Sequence, residues 1–260
     1  MTLHVVNGRS TEETLLTTSI EGEIISWNDV LHVGPLIFDP EESRPIRASF
    51  LAQQGWEDAE AIVRELELRD ARLAAARHVV IWVEHDLYDQ LQLLQILSQT
   101  PGAADVELIQ SDVYLGTLLA EELEAWWPQR TPVSRQTRMR ASEAWRSVTA
   151  GNLDVDVPEL PYLATALRRF AQERETLPRT KRQLLQLLVE APRTPLELFD
   201  HNRQLEEAEF LGDDWLFRFL EELERDGLIR GPLPARPPFG DHRTFVTTRI
   251  EVTGEGRRLL

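Results

Sequence analysis

The sequence contains no cysteine, a single lysine (Lys181) and no long apolar run. The absence of cysteine excludes disulfides, thiolate metal ligands and cysteine nucleophiles. No apolar run approaches the roughly 18 residues that cross a bilayer, and the start of the chain lacks the charged and apolar segments of a signal peptide. We therefore expect a cytoplasmic protein that does not engage a membrane.

Basic side chains are scarce relative to acidic ones. The 260 residues include 28 Lys and Arg against 44 Asp and Glu, which gives a formal net charge of -16. A chain with this charge is soluble and is repelled by nucleic acid and by anionic membranes at long range. Its length suffices for one large domain or two ordinary ones.

Strands alternate with helices in the first part of the sequence. Apolar runs predict strands at 3–6, 22–27, 79–83 and 106–109, with helices at 10–19, 40–54, 57–77 and 86–98. Ser10 and Glu13 have the spacing of a capping box that opens the first helix. This order predicts an α/β domain over residues 1–117. Its small, doubly wound parallel sheet would bind a ligand at the carboxyl ends of the strands.

The remaining sequence predicts an all-helical connector, residues 118–177, and a winged-helix-like domain, residues 178–260. Three helices at 180–189, 195–202 and 214–226 precede a strand from 227, a Pro- and Gly-rich loop at 231–240 that includes Arg236, and a strand at 244–252. The third helix carries mostly acidic side chains: Asp213, Asp214, Glu221, Glu222, Glu224 and Asp226. This charge predicts that nucleic acid is an unlikely partner. Packing on the first domain or pairing in a homo-oligomer is favoured instead.

Polar residues follow the first predicted strand. Asn7, Gly8 and Ser10 stand where backbone N–H groups at a helix start bind anions, and Arg9 adds a bidentate donor. The structural alternative is that Ser10 only caps the helix and Gly8 only makes the turn. A serine in this place also occurs in some esterases, but their Asp-x-x-His partner is not evident near the end of this sequence.

The second strand is followed by Asp29 and His32 on a loop that Gly34 and Pro35 close. An aspartate and a histidine three residues apart can form an acid–base pair or two metal ligands. The alternative is a solvent-facing turn in which Asp29 bonds nearby backbone.

The third strand is followed by the richest cluster, Glu84, His85, Asp86, Asp89 and Gln90. Asp86 and Gln90 have the i, i+4 spacing of one helix face, as do His85 and Asp89. The structural alternative is that the helix dipole stabilises Asp86 and Asp89 in the first turn, but the five residues together exceed what one helix cap requires. Two carboxylates that meet would yield a general acid, and carboxylates that meet a histidine would favour a divalent metal.

Because the carboxyl ends of parallel strands share one edge of the sheet, these three polar segments predict one pocket. The candidate catalytic residues are Asp29, His32, His85 and Asp89. The candidate ligand-binding residues are Asn7, Gly8, Ser10, Gly34, Glu84, Asp86 and Gln90. The sequence leaves the cofactor and the identity of any metal open.

Three segments resemble a bacterial family known as Domain of Unknown Function 1835. They are residues 4–10 (HVVNGRS), 27–35 (WNDVLHVGP) and 82–91 (WVEHDLYDQL), and together they cover about the first half of the chain. Related proteins continue with a helical tail similar to residues 180–226, including the FLGD segment at 210–213. Arg9 stands where the family has an acidic residue, which argues against a metal-ligand role there. The resemblance implies a domain boundary and no activity.

The leading functional hypothesis is a small-molecule or nucleotide-like ligand pocket that serves a hydrolase or group transferase. The alternative is a regulatory or protein-interaction protein whose sensing domain is coupled to a winged-helix module. A third hypothesis is a scaffold in which the polar cluster serves helix caps and hydrogen bonds between domains.

Overall fold

The computed structural model describes residues 1–231, 233 and 243–260. The chain forms two compact units, Met1–Arg168 and Arg169–Leu260. The first unit contains the sheet and residues 118–168 of the predicted helical connector, and residues 169–177 belong to the second. The three-part division by sequence stays a prediction.

The first unit is built on a five-stranded sheet. The strands are β1 (Thr2–Val6), β2 (Glu23–Ser26), β3 (His78–Glu84), β4 (Asp105–Ser111) and β5 (Thr131–Pro132). Their order is β2-β1-β3-β4-β5, in which the first four are parallel and β5 pairs antiparallel with β4. The mixed α/β class with a mostly parallel sheet is therefore confirmed, while β5 is a strand that the sequence did not predict.

Helices cover both faces of this sheet. They are α1 (Arg9–Leu15), α2 (Pro40–Gln53), α3 (Ala59–Ala75), α4 (Leu87–Gln99), α5 (Ala120–Trp126) and α6 (Arg135–Thr149). A further helix, α7 (Leu163–Glu173), begins in the first unit and ends in the second. On one face Val6, Val80 and Trp82 pack against Leu15 of α1 and Leu123 of α5. Residues of β3 on the opposite face are also fully buried. A strand covered on both sides needs a continuous apolar run, which explains the sequence of β3.

The strand order places a topological switch point between β1 and β3. From β1 the chain crosses to β2 on one side, and from β3 it crosses to β4 on the other side. The two crossovers diverge there, and in open α/β sheets ligands bind beyond the carboxyl ends of the strands at such a switch point. The residues that directly follow Val6 and Val83 therefore lie at the switch point.

The capping box predicted at Ser10 is wrong. Helix α1 begins at Arg9, its N-cap is Gly8, and no side chain caps it. Ser10 already lies in the first helical turn, where its side chain is exposed and cannot reach ahead to cap the helix. The helix also ends at Leu15, four residues before the predicted end.

The second unit consists of helices and a short hairpin. Its elements after α7 are α8 (Arg179–Glu190), α9 (Pro195–Arg203), α10 (Asp213–Arg225), β6 (Ile229–Arg230), α11 (Arg243–Thr247), β7 (Glu251–Val252) and α12 (Gly254–Leu259). β6 and β7 pair antiparallel, with α11 between them in the chain, so three helices precede the two paired strands. The winged-helix assignment stays a prediction.

The strand predicted at 244–252 is wrong for most of its length. Residues 243–247 form α11, and only Glu251 and Val252 are strand. The ring of Phe245 is buried and lies 5.3 Å from that of Phe217, so tertiary packing overrides the β-propensity of this segment. Most of the predicted loop 231–240, including Arg236, lies outside the described residues. Within the described part of the chain, no helix combines the length and the apolar character needed to cross a membrane.

Candidate functional site

Three carboxylates meet at the switch point: Glu84, Asp86 and Asp89, called here the carboxylate cluster. One oxygen of each lies within 4.8 Å of the others. Their exposed fractions are 4%, 4% and 0%, so the cluster is shielded from bulk water. The structure thus brings together three of the residues that the sequence singled out.

Local structure explains how the carboxylate cluster forms. The buried strand β3 ends at Glu84, and the chain bends over two residues into α4. Asp86 is the N-cap of α4, and its Oδ1 accepts the backbone N–H of Asp89 at 3.0 Å. The positive end of the helix dipole stabilises carboxylates in this first turn.

Hydrogen bonds tie the carboxylate cluster to the neighbouring strand ends. Asn7, directly after β1, donates its Nδ2–H to Asp89 Oδ1 at 2.8 Å. The backbone N–H of Glu84 donates to Asp89 Oδ2. The backbone N–H of Leu115, in the segment after β4, donates to Glu84 Oε1 at 2.6 Å. Residues that follow three adjacent strands are therefore held in one rigid arrangement.

Burial shifts the protonation of these groups. Burial, and then the charge of Glu84, raise the pKa of Asp86 to about 8. Burial and the two neighbouring carboxylates raise the pKa of Asp89 well above its usual range. Burial also raises the pKa of Glu84, against the hydrogen bonds from Leu115, Gly116 and Asn7. Without a cation, the cluster therefore retains protons at a pH where exposed carboxylates are ionised.

No Arg, Lys or His of the described ranges forms an ion pair with the carboxylate cluster. Buried carboxylates that lack a partner are costly, so they either stay protonated or bind a cation. A donor set made only of oxygen suits hard cations such as Mg²⁺, Mn²⁺ and Ca²⁺. Opposite oxygens lie about 4.2 Å apart around Mg²⁺ and about 4.8 Å apart around Ca²⁺. The spacing in the cluster therefore accommodates such an ion.

Aromatic rings contact the two histidines that the sequence singled out, His32 and His85. The chain has three tyrosines, and each one contacts a predicted catalytic histidine. The ring centroids of His32 and Tyr88 are 5.9 Å apart, and those of His85 are 5.4 Å from Tyr114 and 5.9 Å from Tyr162. His85 and all three tyrosines are half-buried. Sequence reasoning missed Tyr114 and Tyr162, because they lie in loops without periodicity. Their rarity in the chain was the one available signal.

Asp29 has a different environment from the carboxylate cluster. Arg47 Nε donates to its carboxylate at 3.1 Å, and both side chains are almost completely buried. Arg47 also donates to the backbone oxygens of Val33 and Pro35, at 2.6 and 3.2 Å. The pair therefore shapes the loop after β2, and the predicted catalytic role of Asp29 stays a prediction.

The remaining predicted residues are Gln90, Gly34, Gly8 and Ser10, and their environments differ. Gln90 is fully buried and donates to the backbone oxygen of Glu84 at 2.7 Å, so it adjoins the carboxylate cluster. Gly34 has a φ of 74°, and a Cβ there would lie 2.6 Å from the ring of Phe50. The backbone conformation and the packing therefore both require glycine at this position. For Gly8 and Ser10 the structure shows only their places at the start of α1, and ligand binding there stays a prediction.

No model of a known protein family and no curated protein matches the chain. Among solved structures, the Aeropyrum pernix ORC1 protein in complex with DNA matches at 13% identity. The match covers 82% of this chain and 71% of that chain, with a TM-score of 0.24.

The prediction that nucleic acid is an unlikely partner is corrected by this finding, because the matched protein was solved bound to DNA. The exclusion rested on the net charge of the chain and on the acidic side chains of α10. At a TM-score of 0.24 the likeness transfers neither fold nor ligand to this chain, so the correction removes the exclusion and asserts nothing in its place.

Proposed function

We propose that the protein binds a divalent cation at Glu84, Asp86 and Asp89 and uses it in the hydrolysis or group transfer of a phosphorylated, nucleotide-like small molecule. The observation that carries the proposal is the burial of three carboxylates, without a cationic partner in the described chain, at the switch point of the sheet. Mg²⁺ in phosphoryl-transfer sites is typically held by one or two carboxylates together with the phosphates of the substrate.

The surrounding residues have complementary roles in this proposal. A cation held by Glu84, Asp86 and Asp89 would neutralise charge on the phosphoryl group and would activate a water or hydroxyl nucleophile. Asn7 orients Asp89 through its amide N–H. His85 directly follows Glu84 and is half-buried, and its Nδ1 has no hydrogen-bond partner in the described residues. This nitrogen is therefore available to exchange a proton with the ligand.

The resemblance to the Domain of Unknown Function 1835 family remains a proposal alongside this one. It supports the choice of the strand ends as the functional region, because its three segments include Asn7, His32 and the carboxylate cluster. It supplies no reaction, so the proposed chemistry depends on the geometry alone.

The first experiment measures Mn²⁺ binding to the purified chain by calorimetry and electron paramagnetic resonance. Asp86→Asn is the test variant, and Asp112→Asn removes an exposed carboxylate as its control. We expect binding in the wild type and in Asp112→Asn, and loss of binding in Asp86→Asn. A ligand at 100 times its Kd stabilises a protein by about 2.7 kcal/mol, so a thermal shift reports the same event. A wild type that binds no divalent cation at millimolar concentration contradicts the proposal.

Activity requires a second measurement. The metal-loaded protein is incubated with nucleotides, sugar phosphates and phosphodiesters, and phosphate release is followed. Turnover that depends on the cation and disappears in Asp86→Asn supports the proposal that the protein is an enzyme. Cation binding without turnover of any of these substrates favours the second candidate.

The second candidate is a regulatory protein in which a ligand bound by the first unit controls a winged-helix-like module. The observation in its favour is the order of the second unit, in which α8, α9 and α10 precede the β6–β7 hairpin. Fluorescence polarisation against random duplex DNA at low salt tests one class of partner. Binding that weakens steeply with salt supports the regulator, because DNA affinity falls as counterions compete. Salt-independent signals or none favour the enzyme.

A further inference from the structure

Gln90 has a buried oxygen that the protein leaves without a partner. Its side chain is 0% exposed, and its Nε2 donates to the backbone oxygen of Glu84 at 2.7 Å. This bond fixes the amide orientation, because the opposite assignment would place two oxygens against each other. Oε1 is therefore the free end of the amide, and no described residue donates to it.

An orphaned acceptor of this kind is destabilising unless something satisfies it. Gln90 directly follows Asp89 and lies four residues after Asp86, which places it on the same face of α4 as Asp86. Its amide is anchored to the backbone of Glu84, the third member of the carboxylate cluster. Gln90 is thus linked to all three members of the carboxylate cluster, to Asp89 by sequence, to Asp86 by helix face and to Glu84 by a hydrogen bond.

We infer that Gln90 Oε1 is a fourth ligand of the cation bound by the carboxylate cluster. The inference rests on the proposed function and deepens it, since amide oxygens are ordinary ligands of hard divalent cations. A neutral fourth oxygen adds no further negative charge to a site that already holds three carboxylates. The ligand class is a small oxygen-seeking cation, Mg²⁺ or Mn²⁺.

Gln92 offers a matched control on the same helix. It is also 0% exposed, its Nε2 donates to the backbone oxygen of Asp29 at 3.0 Å, and its Oε1 has no hydrogen bond in the described part of the chain. Its anchor, however, lies in the loop after β2 and not in the carboxylate cluster. Gln90→Leu and Gln92→Leu therefore remove the same kind of buried amide bond, and only the first removes a proposed ligand.

The experiment compares Mn²⁺ affinity in the full-length wild type, Gln90→Leu and Gln92→Leu, with Mg²⁺ as competitor. We expect Gln90→Leu to raise the Kd for Mn²⁺ by at least about tenfold, since loss of even an outer-shell partner costs about 10- to 100-fold. Gln92→Leu should lower the melting temperature but leave the Kd unchanged. Equal Kd values for the wild type and Gln90→Leu would overturn the inference while the proposed metal site stands.

A second variant keeps the test decisive where Gln90→Leu does not fold. Gln90→Glu retains an oxygen and adds a fourth carboxylate to the cluster. We expect it to melt at a lower temperature than the wild type in EDTA and to gain a larger rise in melting temperature from Mn²⁺. A rise no larger than that of the wild type would contradict ligation by Gln90. Failure of the wild type itself to bind Mn²⁺ would refute the proposed function and the inference together.

Discussion

The two units of the molecule bury carboxylates in opposite ways. In the second unit, Glu173 and Glu206 are nearly inaccessible, and Arg169 bonds both of them, at 2.6 Å each. The same guanidinium donates to Thr180 Oγ1 at 2.9 Å. In the first unit the carboxylate cluster is equally buried and has only neutral hydrogen-bond donors among the described residues.

The difference is that the buried carboxylates of the second unit are paired with an arginine, whereas the carboxylate cluster has no cationic partner among the described residues. The loop after β2 shows that the first unit also pairs buried carboxylates where structure requires it, because Asp29 has Arg47. Folding thus supplies an arginine to Asp29 and to Glu173 and Glu206, but none in the described chain to the three residues at the switch point. A site that keeps its charge uncompensated at a ligand-binding crevice is suited to an external cation.

The largest expected effect comes from removing Arg169, which pairs with Glu173 and Glu206. Arg169→Met should lower the free energy of unfolding by about 3–5 kcal/mol at pH 7, because among the described residues Glu173 keeps only neutral donors from Thr180 and Glu206 keeps only a 4.0 Å ion pair with Arg179. Urea denaturation measures the change. Arg168→Met is the control, since the exposed Arg168 should contribute within about 0.5 kcal/mol. A loss below 1 kcal/mol in Arg169→Met would remove the contrast between the two regions.

The carboxylate cluster should make the metal-free protein lose stability as the pH rises from acid to neutral. A carboxyl group with a raised pKa contributes fully to stability below its unfolded pKa near 4. This contribution is lost as the pH rises through the folded value, about 8 for Asp86. We expect the free energy of unfolding in EDTA to fall by about 2–3 kcal/mol from pH 5 to pH 7, at up to about 1.4 kcal/mol per pH unit for each group.

The measurement is urea denaturation at several pH values, with the Asp86→Asn variant as the reference. The variant should show a shallower dependence, because one of the shifted groups no longer titrates. Identical slopes for the wild type and Asp86→Asn would show that Asp86 does not carry the pH dependence.

Neutralising one member of the carboxylate cluster should stabilise the metal-free protein, the opposite of the result for Arg169. Asparagine caps helices as well as aspartate does, so Asp86→Asn keeps the bond to the Asp89 N–H and removes the cost of burying an ionisable carboxyl group. We expect a gain of about 1–2 kcal/mol in EDTA at pH 7, since one unit of pKa shift corresponds to about 1.4 kcal/mol. Calorimetric melting with and without Mn²⁺ measures it. A variant less stable than the wild type in EDTA would favour the scaffold hypothesis.

The smallest expected effect separates a glycine that shapes the loop from one that binds a ligand. Gly34→Ala should cost about 1–2 kcal/mol through its positive φ and its clash with Phe50, and should leave the affinity for Mn²⁺ unchanged. Gly102→Ala is the control, since a Cβ there meets no atom within 4 Å. Loss of Mn²⁺ binding in Gly34→Ala without loss of stability would instead support the predicted ligand role.

Most of the sheet and the richest part of the site could be predicted from the sequence. The apolar runs of β1 to β4 and the acidic residues after β3 are contiguous in the sequence, so they can be recognised without knowledge of the tertiary structure. Pairing partners that are distant in sequence are not local. Nothing in the residues around Asp29 indicates that Arg47 neutralises it, and nothing around Asn7 indicates that Asp89 accepts its amide N–H.

Short and irregular segments were also beyond sequence reasoning. The strand β5 has two residues, too few to show alternation. The segment 244–248, Thr-Phe-Val-Thr-Thr, has the composition of a strand, yet burial of Phe245 against Phe217 makes most of it helical. His85 is contacted by Tyr114 and Tyr162, which lie in loops. Loops lack the hydrophobic periodicity of helices and strands, so the sequence gives no indication of where these side chains lie.

The shape of the sheet margins has a consequence for self-association. The central strands β3 and β4 have seven residues each, whereas the marginal strands β2 and β5 have four and two. Pro132 in β5 offers no N–H for pairing with another chain. Unpaired margins are the usual template for amyloid-like stacking, and short or proline-containing margins suppress it. The short edges of the sheet thereby keep the long apolar strand β3, which ends at Glu84, from aggregating with other molecules of the protein.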